Sequence, residues 1–200
     1  ATCDDGSPPG AISVSAAETV TCTFVNARLG FSASLTPTPS SVTAPGGDVS
    51  FAVAVTNSGA AGVQLTGLTD SVYGNVASAA NPALKSTTCS LPQSLVAGGS
   101  YTCAYTATVS GSGGTSQANT LMASATGPGG SSVGGAATAS VAINPPPAGR
   151  IIVTKVTDPA NTPGSFSFAA SYAPAGFSLS HGQSHDSGPL PPGAYSVSES

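Results

Sequence analysis

Between Phe31 and Ile143, apolar side chains alternate with Ser, Thr and Ala in short runs, and Gly, Pro or Asn interrupts each run. A period of two sends successive side chains to opposite faces, so each run reads as a half-buried β-strand. The clearest is DVSFAVAVTN (48–57), which puts Val49, Phe51, Val53 and Val55 on one face. FSASLT (31–36), halted by Pro37 and Pro39, precedes it across the APGGD turn (44–48). VQLTGL (63–68), SVYGNVAS (71–78), STTCSL (86–91), GSYTCAYTATVS (99–110), ANTLMASATG (118–127) and VGGAATASVAI (133–143) follow it. Asn57-Ser58-Gly59 turns the chain between two of them. Prolines fall between the runs, where a missing N–H costs no ladder bond. Seven or more short strands with Gly/Pro turns predict a β-sandwich of immunoglobulin-like type over residues 30–144. No apolar run keeps a helical period, which excludes a helix bundle.

Charge narrows the function. Asp, Glu, Lys and Arg make up 6% of the 200 residues, against roughly 25% in ordinary soluble proteins. Only four are Lys or Arg, and Arg28, Lys85, Arg150 and Lys155 are scattered, so the phosphate contacts a nucleic acid requires are missing. No apolar stretch reaches the length of a membrane-spanning helix, and no signal-peptide pattern opens the sequence. Cys3 with Cys22 and Cys89 with Cys103 form two local pairs without zinc-type spacing, which predicts two disulfides and an oxidising, extracellular setting. Solubility is left to hydroxyls or to sugars carried on them. O-linked glycan is therefore an expectation that the intact mass of native material decides. No N-x-S/T sequon occurs.

The two ends pose a problem that the middle does not. ETVTCTFVN (18–26) alternates like a closing strand, yet only 17 residues precede it, too few for a sandwich. At the other end, Pro145, Pro146 and Pro147 stiffen a linker over 145–149. After it, GRIIVTKVTDP (149–159), TPGSFSFAASY (162–172), FSLSHGQ (177–183) and PLPPGAYSVSES (189–200) each supply a strand. These four also fall short of a closed domain.

Two family resemblances organise these pieces. PGGDVSFAVAVTNSG, LTD (68–70), a cysteine and LVAGGSYTCAYTATV together resemble an immunoglobulin-like repeat common on bacterial cell surfaces, where such sandwiches are strung in tandem as spacers. By that resemblance, Cys89–Cys103 staples the strands on either side of the LVAGG turn. The ends resemble the collagen-adhesin B-type, or prealbumin-like, domain. IIVTK, FSF and PPGAYSVSE match its opening, and TFVN (23–26) matches its last strand. Reading 150–200 followed by 1–29 completes the family pattern, except for a loop usually found after the Glu strand.

The second resemblance implies chemistry. Many members of that family form an amide between a Lys on the first strand and an Asn on the last, catalysed by a buried carboxyl. By position these are Lys155, Asn26 and Glu199. Burial among Phe24, Phe166 and Phe168 would favour a neutral, nucleophilic amine and a protonated carboxyl that polarises the Asn carbonyl. The plain reading of the same residues is a snorkelling lysine, an exposed glutamate and a turn asparagine.

No cofactor is expected. Asp48 and Asp70 make a thin oxygen cage for calcium and read better as turn-capping residues. His181, His185 and Asp186 sit in a Gly/Ser-rich stretch with no further anchor, so a solvated loop outweighs a metal site. Asp4-Asp5 reads as a turn. No Ser-His-Asp order, close carboxylate pair or phosphate loop points to an enzyme.

Six residues from Asn144 to Gly149 reach at most ~20 Å, whereas a sandwich of this class separates its poles by about 35–40 Å. Residues 150–200 are thus expected to be completed by 1–29 of an identical neighbouring unit. That contact is head-to-tail and open, so it propagates as a filament, either along one tandem-repeat chain or between separate subunits. The competing expectation is a ligand- or carbohydrate-binding adhesin module. With no Trp and five Tyr, a stacking platform for sugar is poor.

Overall fold

A computed structural model describes residues 2–24 and 28–200. The chain is all-β. Among the described residues, its sole helical element is a 3-10 turn at Pro128–Gly130. Among the described residues no helix is long and apolar enough to cross a membrane.

The middle of the chain folds as a two-sheet sandwich of immunoglobulin-like type. The N-terminal pairing of β1 (Thr2–Cys3) with β2 (Cys22–Thr23) stands apart from it. One sandwich sheet runs β3 (Phe31–Thr38), β5 (Gly46–Asn57), β10 (Ser100–Ser110), β8 (Ser86–Thr87). The other runs β4 (Ser41–Thr43), β12 (Ser132–Asn144), β11 (Thr115–Thr126), β6 (Val63–Asp70), β7 (Gly74–Asn75), with β9 (Gln93–Leu95) also on β6. The β12–β4 pairing is parallel; the others in these sheets are antiparallel.

The alternating faces meet in the core. Val49, Phe51, Val53 and Val55 from one sheet are fully buried, as are Leu65, Leu68, Leu121 and Val141 from the other. Burying one such side chain contributes roughly 1.5–3 kcal/mol. Phe51 stacks on Tyr105 with ring centroids 5.1 Å apart, and Tyr73 closes the cluster at 5.9 Å from Phe51. Close approach of β12 to β3 needs Gly135, because a Cβ there would lie 3.1 Å from the Ala33 nitrogen.

Several strands differ in extent from the sequence pattern. β3 continues through Pro37 to Thr38, because β3 is an edge strand whose Pro37 faces no second partner. SVYGNVAS shrinks to the two residues of β7, since Asp70 caps a turn that swings Tyr73 into the core. STTCSL keeps only Ser86–Thr87. β4 and β9 were not anticipated, being too short to show a period.

The sandwich holds its two neighbours in sequence at opposite poles. At one pole Gly59 N–H donates to Gly30 O and Ala60 N–H to Arg28 O, while Leu29 lies against Gly127. At the other pole the chain leaves β12 at Asn144, and Pro145 lies over Gly113. β12 runs from one pole to the other, and its thirteen residues extend over about 40 Å.

The C-terminal unit has two small sheets. β13 (Ile152–Thr154) pairs with β16 (Ser184–Asp186). β14 (Phe166–Ala170) lies between β15 (Ala173–Leu179) and β17 (Val197–Glu199). Its core is small: Phe168, Leu179 and Thr157 are buried, while Ile152, Val156, Tyr195 and Val197 remain exposed. In the N-terminal unit, the described residues of ETVTCTFVN form a strand only at Cys22–Thr23, where β1 gives them a partner. A strand edge with no partner leaves its backbone groups to water, so the alternation alone does not extend it.

Candidate cross-linking site

Lys155 extends the β13–β16 ladder by one step, donating its N–H to Gln183 O at 3.0 Å and accepting from Gly182 N–H at 2.8 Å. Alternation along β13 then turns its side chain towards the other sheet. The ammonium sits 4.1 Å from the centre of the Phe166 ring and donates to both oxygens of Glu199, at 2.8 and 3.0 Å. Glu199 is held in place by β17, where it pairs with Phe168. The lysine side chain is 14% exposed and the glutamate 40%. The structure therefore brings Lys155, Glu199, Phe166 and Phe168 into one cluster bridging the two small sheets. Asn26, the third residue of the expected set, lies outside the described residues. Phe24 does not join the cluster; it is exposed in the N-terminal unit.

Chemically, the cluster is an ion pair on an aromatic floor. An amine acts as a nucleophile only without its proton, and the proton acceptor is already within 3 Å.

The four cysteines form Cys3–Cys22 and Cys89–Cys103 disulfides. The first ties β1 to β2, and the second ties the segment after β8 to β10 across the turn at 96–99.

The other acidic and imidazole groups that the sequence singles out have structural partners. Asp48 accepts from Thr108 Oγ1 at the surface, whereas Asp70 is buried in the sandwich. The HGQSHD stretch is only partly a loop: His185 lies in β16 and stacks on Phe177 at 3.8 Å. His181 Nδ1 accepts from the Thr157 backbone N–H at 3.0 Å, and Asp186 pairs with Arg150. Among the described residues no three His, Cys, Asp or Glu side chains converge as a metal site would need. Asp4 accepts from Thr21 N–H, bracing β2 against β1. Asp5 accepts from both the N–H and the hydroxyl of Ser7, and these bonds hold its carboxyl below its ordinary value.

The sequence reading missed the network around Asp70. One oxygen accepts from Tyr105 OH at 2.6 Å; the other accepts from Asn119 Nδ2 at 2.9 Å and from Val72 and Tyr73 N–H. The only sequence signal was an aspartate ending an apolar strand. Burial first, then the bond to Asp70 and its negative charge, push the Tyr105 hydroxyl far above its ordinary value. Tyr73 is raised too, chiefly by burial. A raised folded-state value means stability that is complete below the unfolded tyrosine value of about 10 and is lost as pH climbs beyond it. Unfolding free energy should therefore hold steady up to about pH 9 and then fall by up to ~1.4 kcal/mol per pH unit per tyrosine. Denaturant titrations of Tyr105→Phe should show a shallower alkaline decline; an unchanged slope would assign the effect elsewhere.

A groove of about 570 Å³ lies on the outer sandwich face, with Thr66, Met122, Ser124, Thr126 and Gly134 in its lining. It offers neither an aromatic ring nor a charge to a sugar.

No protein-family model matches the chain, and no curated protein sequence matches it. Solved structures of the major pilin subunit BcpA of Bacillus cereus are similar over much of its length. One gives 12% identity and a TM-score of 0.31, covering 98% of this chain and 64% of the pilin. An aspartate-to-alanine form of that pilin gives 12% identity and 0.32, covering 87% and 59%. The chain thus spans less than two thirds of the length of these pilins.

Proposed function

We propose that this chain is a structural unit of an extracellular filament, stalk or adhesin. In this reading, residues 150–200 of one copy are completed by residues 1–29 of another copy, forming a prealbumin-like domain between successive sandwiches. The observation that carries the reading is the pairing of two undersized units at opposite poles. Among the described residues, each leaves apolar side chains and strand edges without a partner, and the sandwich between them spans about 40 Å. A linker of five residues reaches at most about 18 Å, so one copy does not fold its ends together. A head-to-tail contact of this kind repeats indefinitely, whether the copies are separate or joined in one chain.

The Lys155–Glu199 cluster gives the joint a covalent option. Docking of the donor strand would dry the site and bring the Asn26 carboxamide beside Lys155. Lys155 passes a proton to Glu199, and its Nζ attacks Asn26 Cγ. The Nζ–Cγ bond forms, and the Cγ–Nδ2 bond breaks as Glu199 returns that proton to Nδ2 and ammonia leaves; the second proton that Nζ sheds in becoming an amide passes to Glu199, which ends protonated. The disulfides and the scarcity of charge support an oxidising, extracellular setting.

The test is assembly of the 200-residue chain at increasing concentration, followed by reducing, denaturing electrophoresis. Head-to-tail species should appear in sedimentation, and welded ones should survive as multiples of 19.0 kDa, each bond lowering the mass by one ammonia. Lys155→Ala and Glu199→Gln should remove the denaturation-resistant ladder but leave reversible assembly. A chain that stays monomeric at millimolar concentration overturns the reading.

A further inference from the structure

The N-terminal unit carries a second apolar segment beside the one ending in Phe24. Ala11-Ile12-Ser13-Val14-Ser15 alternates as a strand would, yet forms none, and Ile12 and Val14 are 44% and 61% exposed. Phe24, at the far end of the neighbouring run, is 68% exposed. The connection between the two runs is already folded. Glu18 N–H donates to Ser15 O at 3.1 Å, and the Glu18 carboxylate accepts from Ser15 N–H at 2.7 Å. Ala17 takes φ of +67°, a left-handed conformation that a non-glycine residue adopts only when its surroundings demand it. This turn folds residues 11–14 back towards 19–24, while the Cys3–Cys22 disulfide and the β1–β2 pairing hold the other end.

We infer that Ala11–Ser15 is a second docking strand, with Ile12 and Val14 as anchors that become buried against the C-terminal unit of another copy of this chain. The inference rests on the strand-complementation reading above and specifies how much of the donor takes part. The occupant follows from what is left open on each side. The C-terminal unit exposes Ile152, Val156, Tyr195 and Val197 around a core too small to cover them. Adding Ile12 and Val14 on a prefolded turn supplies more apolar area at little further cost in chain entropy, because the turn and the disulfide have already restricted the segment. Both anchors are exposed in the single chain, so replacing them leaves its fold intact.

The experiment compares the full chain with Ile12→Ser/Val14→Ser and with Ala17→Pro, using sedimentation over a concentration series and amide hydrogen exchange. Proline does not reach the positive φ of Ala17, so that variant opens the turn without touching the anchors. Exchange protection over residues 12–14 should appear only as the chain assembles. Both variants should weaken assembly about tenfold or more, and Ala17→Gly should match or strengthen the parent. Assembly with residues 12–14 unprotected and indifferent to these substitutions overturns this inference and leaves strand complementation standing. No assembly in the parent chain overturns both.

Discussion

Replacing Asp70 with alanine is expected to cost the sandwich about 3–5 kcal/mol, a large share of the stability of a small domain. The carboxylate is 1% exposed and accepts from Tyr105 OH, Asn119 Nδ2 and two backbone N–H groups. Alanine removes the acceptor and strands these donors where water does not reach. Gln117 belongs to the same network, donating to both Tyr73 OH and Asn119 Oδ1, so the loss spreads along the chain of bonds. Two comparisons isolate the cause. Asp70→Asn keeps one acceptor oxygen and should cost roughly half as much. Asp48→Ala, at an exposed site with one bond to Thr108, should stay within about 0.5 kcal/mol. Denaturant unfolding measures all three, and equal losses at Asp48 and Asp70 would refute burial as the cause.

The contrast between these aspartates shows what was legible in the sequence. Strand positions in the sandwich were readable because alternation and burial agree: the inward set of DVSFAVAVTN is the core of one sheet. A polar residue in the core is not readable by that rule. Asp48 and Asp70 look equivalent as turn residues, and only the ring of Tyr105, brought from a distant position, and that of Tyr73, swung inward by the turn, make one of them internal. The same limit explains SVYGNVAS, where Tyr73 is drawn into the aromatic cluster and the chain bends instead of extending. His185 is the reverse case. Its flanking Ser and Asp suggest a loop, but pairing with Val153 and stacking on Phe177 make it a strand.

At the candidate joint, position in a motif located two residues that come together, Lys155 and Glu199, separated by 44 positions. Strand pairing explains why they meet: β13 and β17 belong to different sheets of one small unit, and each directs its polar side chain towards Phe166 and Phe168. Alternation in ETVTCTFVN could not give its extent. A strand exists only with a neighbour, and within one copy β1 supplies that neighbour for two residues. Phe24, just past the last residue so paired, is exposed.

Asn57→Ala is the second large loss, expected at about 2–4 kcal/mol, and it should also loosen the attachment of the N-terminal unit. Asn57 has no exposed surface. Its Nδ2 donates to Ala61 O, Leu95 O and Val96 O, and its Oδ1 accepts from Gly59 N–H. One carboxamide thus clamps the turn after β5 to the turn before β10. The first of these turns is the surface on which residues 28–30 dock, and Gly59 is required there because a Cβ would lie 2.8 Å from Arg28 O and Gly30 N. Alanine leaves three carbonyls and an N–H without this partner. Asn57→Asp should be at least as damaging, since it sets a carboxylate oxygen against those three carbonyls. Hydrogen exchange gives the local readout: the Ala60 amide, bonded to Arg28 O, should lose protection before the β5–β10 ladder does. Protection at Ala60 that survives Asn57→Ala would show that the turn holds without its clamp. If the clamp does set the docking surface, the same variant should also weaken head-to-tail assembly, although Asn57 lies in neither of the units that meet there.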